Sequence, residues 1–373
     1  MSSTSATTPA ALNFRERTEG YMSLIGPMVM ILAILMVMAV LEPGRYFRLS
    51  NFDIILKEAA LYMPMAMAMT LVIVTRGIDL SIGSVAALTA IVMGYMVKSW
   101  GYPWWLAVAA AISLGALCGF INGMVITRLK VPDLIGTLAM DLVYRGFCLI
   151  AVKGIVLSRF PEEIVAIGRG EIPGFLPLPV VIGLVTLAAG WFIYSRTHLG
   201  RYAQAIGSNP EAAELTGIPV DTYKVYVYAL MGAMAGLAGV MLAGKLNAIQ
   251  ATSAPFFNLH VIAAVVVGGT SLFGGRGSMI GSLSGVLLLA MMINALVTLR
   301  MEFFWQSVAS GVVIIVSVAF YTWIQRKDRD GKSSLLEMLL TPENRRMMKF
   351  LLTIIAILAL IFGLGGLMGP PVI

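Results

Sequence analysis

The feature that most constrains the fold is a succession of long apolar runs, separated by short polar segments along nearly the whole chain. Apolar residues make up 59% of the 373 residues and charged residues only 12%. A soluble domain carries about 25% charged residues, so the polar residues are too few to solvate a soluble protein of this length. Each run is close to the roughly 20 residues that a helix needs to cross a bilayer. The sequence therefore predicts an all-α fold, a polytopic bundle of membrane helices.

Ten apolar runs lie between residues 21 and 325, and an eleventh follows near the C-terminus. The ten predicted spans are residues 21–41, 54–75, 82–98, 104–127, 133–152, 178–196, 223–246, 257–273, 281–299 and 304–324. They form one transmembrane domain (21–325), preceded by a polar tail (1–20) and followed by a basic linker (326–348) and an extra hydrophobic segment (349–373). We predict that this last segment crosses the membrane, although its length also allows it to lie flat or to re-enter.

The charge distribution predicts the orientation of the spans. With the N-terminus inside, the inner segments hold sixteen Lys and Arg residues and the outer segments nine, as the positive-inside rule requires. The tail and the linker are then cytoplasmic. The same rule accounts for the net charge of +7, and since no basic run is interleaved with aromatic residues, we expect no nucleic acid as a partner.

A polar stretch in a predicted cytoplasmic connector, "GSNPEAAELTGIPVD", contains the signals of a short helix near residues 208–218. Asn209 is a helix-capping residue and Pro210 suits the first turn. Glu211 sits at the positive end of the helix dipole. Gly217 can end the helix in a left-handed conformation, and Pro219 prevents its extension.

This helix has at most two turns, and we expect its small residues Ala212 and Ala213 to be exposed. An isolated helix that short is marginally stable in water, so it must pack against something else. Two alternatives are open on physical grounds: a helix tucked under the membrane domain, or a projection that inserts into a partner subunit and transmits motion to the spans.

Three polar residues within or beside the spans are candidates for a substrate pathway: Asp79, Asn122 and Asn294. A carboxylate near membrane depth is costly and faces a cavity or pairs with a cation, so Asp79 could instead pair with Arg76 or cap a helix. The two amides could equally form hydrogen bonds between helices. Asp141 and Arg145 share one helix face, and we interpret them as a buried structural ion pair.

Signals of chemistry within the chain are weak. The segment "GVMLAGKL" has the GxxxxGK spacing of a phosphate-binding loop, but Leu246 replaces the Ser or Thr that would bind magnesium. His198 and His260 lack metal-ligand partners at helical spacing. We therefore assign the chain no catalytic residue and no metal or cofactor of its own. Glycines at every fourth position, in Gly115–Gly123 and Gly232–Gly236, favour close helix packing.

Four segments carry a family resemblance: "RGIDLSIGSVAALTA", "PDLIGTLAMDLVYRG", "GSNPEAAELTGI" and "VIAAVVVGGTSLFGGRGSMIGSLSGVLL". In order and spacing they resemble the permease subunit of sugar-importing ABC transporters of the ribose, xylose and galactose type. The resemblance covers roughly residues 20 to 325. It implies that the segment Asn209–Gly217, including Pro210, Glu211, Ala212 and Ala213, is the coupling helix that seats in a cytosolic ATPase.

The resemblance also implies the partners and the location. We expect a bacterial inner-membrane protein that works with a cytosolic ABC ATPase binding ATP and Mg, a periplasmic sugar-binding protein and a second permease copy or a similar permease. The outer segment 153–179 is either a plain connector or a docking loop for the periplasmic partner. Branched-chain amino acids or nucleosides are alternative substrates, and an ion-coupled secondary transporter is the rival class. That rival needs titratable groups or sodium ligands within the spans, for which the sequence offers few candidates.

Overall fold

The computed structural model describes residues 26–301, 308, 311 and 312 of the protein. The predicted tail (1–20), nearly all of the tenth span (304–324), the basic linker (326–348) and the extra hydrophobic segment (349–373) lie outside the described residues and stay predictions. Within the described residues the secondary structure is helical, apart from two strands of two residues each.

The helices follow one another with short connections. In chain order the elements are α1 (Gly26–Leu41), α2 (Pro43–Tyr46), α3 (Leu49–Val74), α4 (Ile82–Lys98), α5 (Trp104–Arg128), α6 (Asp133–Val152), β1 (Leu157–Ser158), α7 (Glu162–Arg169), α8 (Leu178–Arg196), α9 (His198–Ser208), α10 (Pro210–Leu215), α11 (Val220–Leu246), β2 (Ala248–Ile249), α12 (Phe257–Val267) and α13 (Met279–Thr298).

Six of these helices are long and apolar enough to cross a membrane: α3, α5, α6, α8, α11 and α13. The shorter apolar helices α1, α4 and α12 account for three more of the predicted spans. The predicted all-α, polytopic membrane bundle is confirmed. Helix α3 is almost completely buried, whereas α5, α6 and α8 leave most of their apolar surface exposed, as helices that face lipid do.

One predicted span is shorter than expected. The apolar run 257–273 suggests a single helix, but α12 ends at Val267. Gly269 adopts a left-handed conformation with φ of 87°, which helix geometry does not allow. The residues from Gly268 to Ser278 therefore form a non-helical connector between α12 and α13.

Helices α5 and α11 pack through their glycines, as their spacing predicts. A Cβ atom on Gly232 would lie 2.0 Å from the backbone oxygen of Gly115, and one on Gly119 would lie 2.0 Å from the oxygen of Tyr228. Real Cβ atoms do not approach an oxygen so closely. The two backbones are therefore in direct contact, which requires small residues where helices pack in a membrane.

Polar contacts join residues that are predicted to lie on the same side of the membrane. Contacts between predicted inner residues include Lys130–Asp221 at 3.0 Å and Lys224–Asp133 at 3.3 Å. Contacts between predicted outer residues include Lys57–Glu171 at 3.0 Å, the Lys245–Glu58 pair and a bond from Lys98 to the oxygen of Ser158. In these contacts inner residues meet inner residues and outer residues meet outer ones. The alternation of the spans agrees with the prediction, while the choice of the cytoplasmic side stays a prediction.

The outer segment 153–179 is structured. Strand β1 pairs with β2 in antiparallel register, with Leu157 opposite Ile249. The short helix α7 follows and packs against the C-terminal end of α11, where a Cβ atom on Gly168 would lie 2.0 Å from the backbone nitrogen of Lys245. The segment is thus fixed to the membrane domain, and its role as a connector or as a docking loop stays a prediction.

Candidate functional site

Helix α10 begins with the signals that the sequence predicts. The Asn209 side chain accepts a hydrogen bond from the backbone nitrogen of Ala212 at 3.1 Å, and Pro210 occupies the first turn. The cap satisfies one of the backbone donors that every helix start leaves unpaired. Glu211 lies in the first turn and is exposed.

Helix α10 also ends as predicted. Gly217 has φ of 85° and donates to the oxygen of Glu214 at 2.9 Å, while Ile218 donates to the oxygen of Ala213 at 3.0 Å. These two bonds form a Schellman motif, which needs a left-handed residue that glycine adopts at little cost. The result is a capped helix of six residues, Pro210–Leu215.

The solvent exposure of α10 differs from the prediction at one residue. Ala213 is only 4% exposed, because it packs into a small cluster with Ile206 and Val220. Its predicted exposure is therefore wrong, whereas Ala212 is exposed. Leu215 is 89% exposed, and no sequence pattern singled it out. Its exposure follows from the burial of Ala213, which fixes the rotation of the helix.

An additional amphipathic helix, α9, holds α10 in place. The side chain of Thr197 caps α9, and Asn209 alone separates α9 from α10. Tyr202 on α9 makes an edge-to-face contact with Tyr223 at the start of α11, with ring centroids 4.7 Å apart. We call residues 198–219, which comprise α9, α10 and the turn before α11, the coupling segment.

Asp79 and Asn122, both predicted as pathway residues, lie in one buried network. The Asp79 carboxylate accepts from the backbone nitrogen and the hydroxyl of Ser81, at 2.9 and 2.7 Å. Asn122 donates to the Ser81 hydroxyl at 2.7 Å and accepts from the hydroxyl of Tyr144 at 3.0 Å. Asp79 and Asn122 are each 1% exposed, so the network joins α4, α5 and α6 away from solvent.

Asp79 lies in the non-helical residues 75–81 between α3 and α4, which we call the connector. Burial raises the pKa of its carboxyl group, and the hydrogen bonds from Ser81 oppose that rise. The possible partner Arg76 turns away and donates to the backbone oxygens of Gly207 and Ser208. The Asp79–Arg76 pair is therefore not formed, and Asp79 instead accepts from the backbone nitrogen of Ser81, the residue that precedes the first turn of α4.

The connector is held by residues that sequence patterns did not indicate. The oxygen of Ile78 lies 3.1 Å from the hydroxyl of Thr137 and 3.3 Å from that of Tyr228. The Tyr228 hydroxyl is also 3.0 Å from the carboxylate of Asp133, which pairs with Lys224. For Asp133, the sequence indicated only a position at the start of a predicted helix and no contact with the connector.

Asp141 and Arg145 do not form the predicted ion pair. Arg145 donates to the backbone oxygens of Ala251 and Ser253, at 2.6 and 3.1 Å. Among the ion pairs between residues 26 and 301 there is none that includes Asp141. The guanidinium carries five donors in a planar fork and uses them on the turn that precedes α12 rather than on its helical neighbour.

Asn294 belongs to a different unit of the structure, whose described residues include 32–52 and 291–301. Asn51 and Asn294 exchange two hydrogen bonds, each 2.9 Å long. This reciprocal pair matches the interhelical bond that was one of its two predicted roles. The other role, a place on a substrate path, stays a prediction.

The described residues thus form a polytopic helical membrane domain with an ordered polar projection between α8 and α11. The profile of one family, branched-chain amino acid transport system/permease component, matches residues 51–318. The chain belongs to this family, and the resemblance to permease subunits of sugar-importing ABC transporters is confirmed.

Several curated relatives match most of the chain. The ribose import permease of Escherichia coli K12 is 37% identical over 320 residues, which cover 84% of this chain and 98% of the relative. The fructose import permease of Rhizobium meliloti is 33% identical over 312 residues, covering 80% and 85%. An autoinducer 2 import permease of Photorhabdus laumondii is 30% identical over 296 residues, covering 79% and 88%. No solved structure gives a significant match.

Proposed function

We propose that this chain is the transmembrane subunit of an ATP-driven ABC importer that carries a monosaccharide or a similar small polyol across the bacterial inner membrane. A cytosolic ATPase binds ATP and Mg and docks on the coupling segment. A periplasmic binding protein delivers the sugar, and a second permease copy or a similar chain completes the pathway. The N-terminus lies in the cytoplasm.

The observation that carries the proposal is the geometry of α10. Its two caps and the buried Ala213 hold the helix in one orientation, and that orientation directs Leu215, 89% exposed, away from its own domain. A large apolar side chain at the tip of a charged, rigid projection suits a hydrophobic cleft in a partner protein, where such anchors contribute much of the binding energy. Exposed Glu211 and Glu214 flank it and add charge complementarity.

The substrate class rests on the relatives. Proteins at least 33% identical to this chain are named for the import of ribose or fructose. Both are small polyhydroxylated sugars, so we assign a molecule of that kind to this chain. Branched-chain amino acids and nucleosides are the alternative substrates, and competition for uptake distinguishes them.

Transport needs two states of the membrane domain and no covalent chemistry within it. ATP binding closes the ATPase subunits and moves the coupling helices. The spans then expose their cavity to one side of the membrane or to the other. The permease acts only through different contacts in the two states, as any ligand-driven conformational equilibrium requires.

Co-purification of the ATPase tests the docking role. The chain is tagged, extracted from native membranes in mild detergent and analysed for the proteins bound to it. We expect a cytosolic ATPase with the unsubstituted chain, and its loss with Leu215→Asp and with Glu211→Lys. The matched control is Glu163→Lys, since Glu163 is also an exposed glutamate in the first turn of a helix, α7, but lies at the predicted outer face.

Uptake measurements separate the proposal from an ion-coupled transporter. We expect uptake of radiolabelled ribose or fructose by cells to stop when ATP is depleted and to survive an ionophore. The opposite pattern, with a chain that purifies alone, would contradict the ABC importer. Equal loss of the ATPase with Glu163→Lys would show that the charge reversal acts non-specifically.

A further inference from the structure

Arg76, the second residue of the connector, binds the coupling segment. Its Nε donates to the oxygen of Gly207 at 2.7 Å, and one of its terminal nitrogens donates to the oxygen of Ser208 at 2.8 Å. Both acceptors belong to the last turn of α9, immediately before the cap Asn209. One guanidinium thus binds two carbonyls that helix ends leave without intrahelical partners.

The backbone around this contact is packed tightly. A Cβ atom on Gly207 would lie 1.7 Å from the oxygen of Val74 and 2.3 Å from the nitrogen of Gly275. Gly275 in turn donates to the oxygen of Val74 at 2.9 Å. The backbones of three chain segments therefore meet at Gly207 without intervening side chains. They are the end of α3, the end of α9 and the non-helical residues 268–278 between α12 and α13. A displacement of α9 cannot be absorbed by side-chain rotation at this point.

The backbone of Arg76 marks the end of α3. Its φ is 63°, in the left-handed region that is unfavourable for residues other than glycine. This conformation ends α3 in a Schellman motif, in which Arg76 donates to the oxygen of Ile73 and Gly77 to that of Val72, each at 2.9 Å. The remainder of the connector leads within three residues to Asp79 and its buried network.

We propose that Arg76 is a positioning residue that transmits the displacement of the coupling segment to the connector at Asp79, an inference that rests on the proposed function. Through the bonds of Arg76 to α9, a movement of α9 and α10 displaces the connector beside Asp79. Through the contact of Gly207 with Gly275, the same movement displaces residues 268–278 between α12 and α13. Loss of the Arg76 guanidinium leaves the ATPase bound but separates ATP binding from movement of the connector.

The experiment monitors the connector directly. Leu80 is half-buried in the connector and is replaced by Cys in a chain whose own buried cysteines, Cys118 and Cys148, are changed to Ala. The complex with its ATPase is purified, and the rate of reaction with a maleimide is measured with and without ATP and orthovanadate. This readout requires no knowledge of the transported sugar.

With Arg76 present we expect ATP and vanadate to change the labelling rate of Leu80→Cys. With Arg76→Gln we expect the same amount of bound ATPase and loss of the ATP-dependent change. Arg201→Gln is the matched control, because Arg201 is an exposed arginine of α9 whose bonds stay within the α8–α9 region. It should preserve the change.

A second variant excludes a folding defect. Arg76→Gly removes the guanidinium and relieves the left-handed backbone, so it should lose the ATP-dependent change while eluting as an intact complex. A normal change in either Arg76 variant overturns the inference, as does a labelling rate that ignores ATP with Arg76 present. If no ATPase binds the unsubstituted chain, the proposed function fails and the inference with it, which is a different result from a bound ATPase with an uncoupled connector.

Discussion

The coupling segment and the α5–α11 interface differ in how tightly they are packed. At the interface the backbones of two membrane helices touch over several turns, with Gly232 against Gly115 and Gly119 against Tyr228. The coupling segment instead rests on a small cluster centred on Ile206, Ala213 and Val220 and leaves Leu215 in solvent. Local stability follows the density of buried contacts. The interface is therefore expected to contribute more to the stability of the fold than α10, which projects beyond the close backbone contact at Gly207.

The comparison predicts that one added methyl group damages the interface more than a substitution in α10 does. In Gly232→Ala the new Cβ would lie 2.0 Å from the oxygen of Gly115, so the helices must separate. We expect a destabilisation of about 3 kcal/mol or more, at the upper end of what overpacking costs. The measurement is the melting temperature of the detergent-solubilised protein.

A second glycine of the membrane domain provides the control. A Cβ atom on Gly146 of α6 would meet no described atom within 4 Å outside its own helix. Gly146→Ala should be neutral or stabilise the helix by about 0.5–1 kcal/mol, because alanine is the better helix former. Equal losses in the two variants would contradict the view that close backbone contact distinguishes α5 and α11.

The buried network at Asp79 should be intermediate in effect. Asn122→Ala removes a partner from both Ser81 and Tyr144 in a site sealed from solvent. Both hydroxyls keep a second partner, Asp79 for Ser81 and the oxygen of Cys118 for Tyr144, so each lost hydrogen bond should cost about 0.5–1.5 kcal/mol. Asn294→Ala should cost less, since its partner Asn51 is only partly buried and can bind water instead. Denaturation of both variants tests this order, and a larger loss for Asn294→Ala would refute it.

The membrane spans could be predicted from the sequence because apolar runs and their punctuation determine them locally. Helices α4, α6 and α8 begin and end at the predicted residues, with Pro132 and Pro177 preceding two of them. The α10 caps at Asn209 and Gly217 were predictable for the same reason, since capping depends on residues within one turn.

What the sequence did not reveal depends on contacts between distant segments. Arg76 and Arg145 both bind backbone oxygens, and a carbonyl acceptor has no residue type that a pattern could identify. The predicted partner of Arg145 was therefore a nearby carboxylate, Asp141, which it does not bind. The burial of Ala213 likewise depends on the rotation of α10 against α9 and α11, which the exposed appearance of "EAAEL" does not encode.

The smallest predicted effect tests whether the coupling segment contributes to binding without contributing to global stability. Asn209→Ala removes the bond to the backbone nitrogen of Ala212 and should weaken α10 by about 1 kcal/mol. Because α10 must be ordered to bind, the affinity for the ATPase should fall about fivefold, by the usual conversion of free energy into affinity.

The melting temperature of the membrane domain should stay unchanged in Asn209→Ala, since the spans do not depend on this cap. Asn209→Asp keeps a side-chain acceptor at the same position and should bind the ATPase as the unsubstituted chain does. Titration of the detergent-solubilised variants with the purified ATPase measures both affinities. A lower melting temperature together with unchanged affinity would reverse the comparison, because the coupling segment would then support the fold rather than the partner.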